Sequence, residues 1–374
     1  MGGVSAGPGE PASDERRARV ELAWLAEPGD VVLGCEVERL GAVDVLDRIR
    51  TGGAGVPGRR DYVVRLARAD PDGCLAAVAS VSGRVVIPGD LEWPTQLDDL
   101  GLARPLALFV RGHDLRLASL RSVAVVGARA ATEYGVSVAA DLAADLGERG
   151  WTVTSGGAYG IDAAAHRGAL SAGGATVAVL ACGVDVVYPR GHAALLERVS
   201  HEGTVVSELP PGVHPTRSRF LQRNRLIAAL TRGTVVVEAA QRSGALNTAS
   251  HAAELGRRLM GVPGPVTSAA SAGVHRLFRE AAAEVVVDAA QVIEAVGDLG
   301  DLAPVPQTPH RVTDGLDPTT LRVFEALPAR RPLPLADVAV AAGLDPVVVG
   351  GALSRLAVLG LVGQTGRGWG LTTR

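Results

Sequence analysis

The sequence predicts an α/β protein organised on a parallel sheet, and three observations carry that reading. From Arg121 onward, short apolar runs alternate with helical patterns, the arrangement that builds a parallel sheet and its crossovers. Val123 to Val126 are four consecutive apolar residues, too few for a helix and without period-2 alternation, as in a strand buried on both faces. A proline-spaced segment, 297–317, then separates this region from a tail with short helical patterns of its own.

In chain order, residues 1–15 are rich in Gly, Pro and Ser and are expected to be disordered. Between Arg16 and Arg50, apolar residues recur at helical spacing (Val20, Ala23, Trp24; Leu40, Val43, Leu46, Ile49), which predicts two or three short helices before the glycine-rich patch 51–58. Residues 16–84 therefore read as a small helical N-terminal region. Val85–Ile87 and Ala107–Val110 read as short strands on either side of a fixed turn at Trp93-Pro94. The sheet strands expected are Val123–Val126, Thr152–Ser155, Thr176–Ala181, Thr204–Ser207, Thr234–Glu238, Arg258–Val262 and Glu284–Val287. Helices are expected at Gly135–Arg149, Ile161–Ala172, Phe220–Leu230 and Ala245–Gly256. The sheet domain spans 85–296, the linker 297–317, and the last domain 318–374. That domain has helical patterns at Thr319–Leu327, Leu335–Ala342 and Pro346–Leu359, then GQTGRGWGLTT as a small β-wing, the outline of a winged-helix module. Its candidate recognition helix, VVVGGALSRLAVLG, carries one arginine and two adjacent glycines, whereas a major-groove reader presents several donors. This favours a partner-binding or weak DNA-binding role.

Composition narrows the function. With 374 residues there is material for two or three domains. All 37 basic residues are arginine, which codon bias explains, so clusters carry information that single arginines do not. Aromatics are 3 %, which argues against stacking along an aromatic stripe. A net charge of −3 argues against a whole-surface nucleic-acid binder and leaves a local basic pocket open. Cys35, Cys74 and Cys182 lie far apart with no CxxC, so no zinc site, disulfide framework or other cofactor is expected. Without a run of 18 apolar residues or a signal-peptide pattern, the expectation is a soluble, cytoplasmic protein with no membrane contact.

Ligands of parallel sheets bind where the loops gather at the carboxyl ends of the strands. After Val126, Gly127 allows a sharp turn, Arg129 lies in the loop, and Thr132 is placed to cap the next helix. A strand feeding a helix N-terminus offers N–H groups and a positive dipole end to an anion. TSGGAYGIDAAAHRGAL supplies Gly156, Gly157 and Gly160 for close backbone approach. It also sets Asp162 and His166 at i, i+4, where they can pair for structure or for acid–base work. CGVDVVYPRGH offers Tyr188 as a stacking face and Arg190 as a charge. HPTRSRFLQRNRLIAAL places Arg217, Arg219, Arg223 and Arg225 within nine residues at the start of a helix, with Ser218 as its candidate cap. The dipole disfavours cations there, so the cluster points to a bound phosphate. VVVEAAQRSGALNTASHAAELG ends a strand at Glu238 and brings Ser243-Gly244 to another helix N-terminus. No GxSxG, no GxxxxGK[ST] and no metal-ligand cluster occurs, so no catalytic residue is assigned and the pattern suits a phosphate-backbone binder.

Together these segments resemble the DNA-processing protein A family, DprA or Smf. The resemblance runs from about Val85 to Val296 through VAVVGAR, SGGAYGID, VAVLACGVDVVYP, SELPPG, F-x-x-RNR, VVVEA, SGAL-TA and VPG, in order. It implies an extended Rossmann-like domain that binds single-stranded DNA, forms a homodimer and delivers the strand to the RecA recombinase during natural transformation. It implies that Arg129, Arg190 and the Phe220, Arg223, Asn224 and Arg225 of F-x-x-RNR belong to the DNA site. Ala128 departs from the family's usual Ser or Thr, and Gly157 from a larger apolar residue. The rivals are a nucleotide phosphoribohydrolase on a similar sheet, whose PGGxGTxxE stretch is missing here, and a nucleotide-sensing regulator.

Overall fold

Helix caps and apolar spacing organise the first eighty residues. A computed structural model describes residues 14–52, 56–57, 59–67, 69–298, 313, 315–328 and 331–372. Five helices come first: α1 (Asp14–Leu25), α2 (Val31–Leu40), α3 (Ala42–Thr51), α4 (Arg59–Leu66) and α5 (Pro71–Ser80). Asp30 caps α2 by accepting from the amides of Val32 and Leu33, and Asp70 caps α5, which opens on Pro71. Leu22, Leu25, Leu33, Val45 and Ile49 form their core. Asp14 and Glu15 belong to α1, so that part of the 1–15 expectation is corrected; the remainder lies outside the described residues.

The sheet follows. Its elements are β1 (Gly83–Val86), β2 (Leu108–Gly112), α6 (Leu115–Leu120), β3 (Ser122–Val126), α7 (Glu133–Glu148), β4 (Thr152–Ser155), α8 (Ile161–Ser171), β5 (Thr176–Val179), α9 (Ala193–Glu202) and β6 (Thr204–Ser207). Then come α10 (Arg217–Ala229), β7 (Gly233–Val236), α11 (Ala245–Glu254), β8 (Arg258–Gly261), α12 (Ala272–Glu280), β9 (Glu284–Val285) and α13 (Ala289–Val296). The strand order is β1-β2-β6-β5-β4-β3-β7-β8-β9. β2 runs antiparallel to β1 and β6, and the other pairs are parallel. From β3 the chain steps one way through β4, β5 and β6, then returns to lay β7 on the other side of β3. The order reverses between β3 and β7, and there the loops diverge and leave a crevice.

Both faces of β3 are buried, as its sequence predicts. Val123 and Val125 pack with Leu142, Ala165 and Ile293 of α7, α8 and α13. Ala124 and Val126 pack with Leu226, Ile227 and Ala249 of α10 and α11. The N-terminal helices join this body: Val20 of α1 and Cys74 and Val78 of α5 share a buried cluster with Phe109, Leu180 and Val205. β5, β7 and β9 each stop two residues before the expected ends, where the chain leaves the sheet. α10 starts at Arg217 because Thr216, not Ser218, is its cap: the Thr216 hydroxyl accepts from the Arg219 amide at 3.3 Å.

The chain divides into two compact units, Met1–Pro304 and Val305–Arg374. The second holds α14 (Pro318–Glu325), α15 (Leu335–Ala342), α16 (Pro346–Val358) and an antiparallel hairpin of β10 (Val362–Thr365) with β11 (Gly368–Leu371). Val323, Val338, Leu353 and Leu356 form its core, while Val347 (84 % exposed) and Val358 (89 % exposed) face outward from α16. No single described helix is long and apolar enough to cross a membrane. The three cysteines are free.

Candidate nucleic-acid interface

The crevice at the β3/β7 switch point is a groove of about 910 Å³. Its walls are the loop after β3 (Gly127, Arg129), the loop after β7 (Arg242, Ser243, Gly244) and the start of α10 (Arg217, Phe220, Arg223, Asn224), with Asp162 and Tyr188 also lining it. Gly156 and Gly157 line an adjoining recess with Tyr159, Leu180, Tyr188 and Phe220.

The protein's own acceptors take up some of the amides at the helix N-termini around the groove. Glu238 sends its carboxylate to the start of α7, accepting from the Thr132 amide at 2.9 Å and the Thr132 hydroxyl at 2.5 Å. At α8, the Ile161 amide donates to the Ala128 carbonyl at 3.2 Å, and Asp162 accepts from the Ala158 amide at 3.3 Å. At α11, the Ser243 hydroxyl accepts from the Ala245 amide at 3.3 Å.

The arginines separate into two groups. Arg129, Arg190, Arg217 and Arg242 are exposed. Arg129 lies 4.5 Å over the Phe220 ring centroid, and that ring is 5.6 Å from Tyr188. Arg219, Arg223 and Arg225 are instead committed to the protein. Arg219 grips Glu27 through two bonds of 3.1 Å and also donates to the His214 carbonyl at 2.9 Å. Arg225 is 6 % exposed and donates to Glu208 at 2.8 Å and to the Ala103 carbonyl at 2.9 Å. Arg223, also 6 % exposed, donates to the Gly156 carbonyl at 2.8 Å and to the Val179 carbonyl. Of these three only Arg223 lines the groove, and their protein partners set them apart from Arg217, the arginine of the α10 cluster that is both exposed and on the groove. Burial pulls the Arg223 guanidinium down to about 10, against the pull of Asp162 and with the repulsion of Arg129. It therefore stays a cation at neutral pH. Asn224 ties α10 to α11, donating to the Gly244 carbonyl at 3.2 Å and to the Asn247 side chain at 3.1 Å.

Two glycines are explained by contact. At Gly156 a Cβ would lie 2.3 Å from the Arg223 guanidinium. Gly157 sits at φ 69°, the left-handed region that favours glycine over a larger residue.

Asp162 and His166 do not pair. His166 is buried and its Nδ1 lies 2.8 Å from the Thr176 hydroxyl, which spends its own proton on the Val153 carbonyl at 2.6 Å. Nδ1 therefore carries the hydrogen. Burial pushes His166 down to about 3, helped by nearby Arg223, so the ring is neutral and structural. Burial pushes Asp162 upward, opposed by Arg223 and by the loop amides.

Two residues escaped the sequence reading. Arg242 directly precedes Ser243-Gly244, and Tyr159 is the one large side chain of the GGAYG loop. Low aromatic content argued against stacking, yet Tyr159, Tyr188 and Phe220 converge on one recess.

Fold and groove together define a Rossmann-like α/β protein with an arginine- and aromatic-rimmed site at its switch point. The chain belongs to the DNA recombination-mediator protein A family, the DprA/Smf family, whose model matches residues 84–297. It is 47 % identical over 358 residues to the putative DNA processing protein DprA of Mycobacterium tuberculosis, covering 92 % of this chain and 91 % of the relative. It is 41 % identical over 178 residues to the DNA processing protein DprA of Streptococcus pneumoniae, covering 48 % of this chain and 62 % of the relative. The solved structure of the pneumococcal protein matches with a TM-score of 0.64 at 28 % identity, over 78 % of this chain and all of that one (100 %). DNA processing protein A from Helicobacter pylori, described for its single-stranded DNA binding mode, matches with a TM-score of 0.51 at 26 % identity, over 57 % and 94 % of the two chains.

Proposed function

We propose that this chain binds single-stranded DNA in the switch-point groove and hands it to the RecA recombinase during natural transformation, acting in the cytoplasm as a homodimer. The observation that carries the binding is Arg129 set over Phe220, with Arg217 and Arg242 exposed along the same groove. A flexible strand bends its phosphates into recessed loops, whereas a stiff duplex does not. Gly127, Gly156, Gly157, Ser243 and Gly244 let the backbone come close to the strand, Arg190 adds a charge beside the recess, and Tyr188 offers a base a stacking face. Arg223 and Asn224 act as the wall that holds these groups in place, and Arg219 and Arg225 brace α10 through Glu27 and Glu208. Family membership supports the recombination role, and the recombinase and the homodimer are what the family resemblance implies. The groove serves binding and not hydrolysis. The 318–374 module acts as a winged-helix accessory, because the outward face of α16 carries valines and few donors.

Labelled single- and double-stranded oligonucleotides, compared at two salt concentrations, test the reading. A clear single-strand preference is expected; equal affinity for both at physiological salt rules out the groove as the site.

A further inference from the structure

Tyr159 stands out on a loop that is otherwise glycine and alanine. Within Gly156-Gly157-Ala158-Tyr159-Gly160 it is 51 % exposed, yet its position is determined by contacts. Its ring meets His192 edge-on, with centroids 4.5 Å apart and planes at 65°. His192 is buried and anchored in turn, its Nδ1 donating to the Gly157 carbonyl at 3.1 Å. The Tyr159 hydroxyl reaches over Gly191, where a Cβ would come within 2.8 Å of it. Gly191 directly follows the exposed Arg190. An oriented aromatic ring thus stands beside the backbone that carries a guanidinium. That juxtaposition suits one nucleotide: a ring for the base and a cation for its phosphate.

We propose that Tyr159, its ring fixed edge-on by His192, is a base-stacking residue for the bound strand, with the phosphate of the same nucleotide at Arg190. The proposal rests on the single-stranded DNA reading above. Every base has a π-face, so the contact selects unpaired bases without selecting their identity. Pre-orienting the ring removes part of the entropy cost of stacking on a loop side chain.

The test compares wild type, Tyr159→Phe and Tyr159→Ala on two oligonucleotides of equal length and phosphate number, one normal and one fully abasic. Each is titrated across a salt series, and each variant is melted to check the fold. Tyr159→Ala is expected to lose about fivefold or more on the normal strand, little on the abasic strand, and to keep its salt slope. Tyr159→Phe is expected to match wild type on both. An equal loss on both strands, no loss on the normal strand, or a phenylalanine variant as weak as the alanine variant overturns the stacking role. Wild type that binds neither strand overturns the parent reading and this one with it. Wild type that binds, with Tyr159→Ala indistinguishable from it, overturns the stacking role alone.

Discussion

The guanidinium of Arg223 occupies the space that a side chain at Gly156 would need, 2.3 Å from the position of its Cβ. Arg223 in turn satisfies the Gly156 carbonyl at 2.8 Å, so the two residues determine one another's place. Gly156→Ala is therefore expected to displace a buried cation and lower stability by about 1–3 kcal/mol, as overpacking does. Urea unfolding measures this. A variant as stable as wild type would show that the wall yields without cost.

Exposed and buried arginines are expected to respond in opposite ways. Arg129→Ala, Arg217→Ala and Arg242→Ala should each weaken single-strand binding and flatten the slope of log affinity against log salt by about 0.7, with stability unchanged. Arg225→Ala should leave the slope alone and cost about 3–5 kcal/mol of stability, because Glu208 loses its buried partner. Salt titrations and denaturation of the same variants check both halves. A flattened slope in Arg225→Ala would return that residue to the phosphate set.

His166 gives the fold an acid sensitivity. Its folded value of about 3 lies below the ordinary 6.5, so its neutral form is favoured by folding. That stability is complete above pH 6.5 and is lost as pH falls from there toward 3, at up to about 1.4 kcal/mol per pH unit. Asp162, raised by burial, acts in the opposite sense: its contribution is present at low pH and lost as pH rises through its folded value. His166→Gln should flatten the decline between pH 6.5 and 4 in denaturation series. An unchanged decline would assign the acid sensitivity to other groups.

The second unit should be dispensable for most single-strand affinity. It is compact by itself, and α16 turns Val347 and Val358 outward. Truncation after Val296 is expected to leave the affinity within a few-fold. A loss of about 1.4 kcal/mol, tenfold, in fluorescence anisotropy would make that unit a primary site.

Sequence alone determined the parallel sheet, the strand centres and the loops that line the groove. Val123 to Val126 could be read as a doubly buried strand because burial on both faces removes polar alternation, and glycine runs at 156–160 marked a close backbone approach for the same local reason. What it left open was which arginines face the groove. Arg219 meets Glu27 from 192 positions away, Arg223 meets Gly156 from 67, and Glu238 reaches Thr132 across 106. The spacing of charges along a helix fixes which residues share a face, but the partner waiting on that face comes from distant chain. Only the tertiary structure decided that Arg223 and Arg225 are buried while Arg129, Arg217 and Arg242 stand exposed, because desolvating a guanidinium is tolerable only where folded neighbours supply its acceptors.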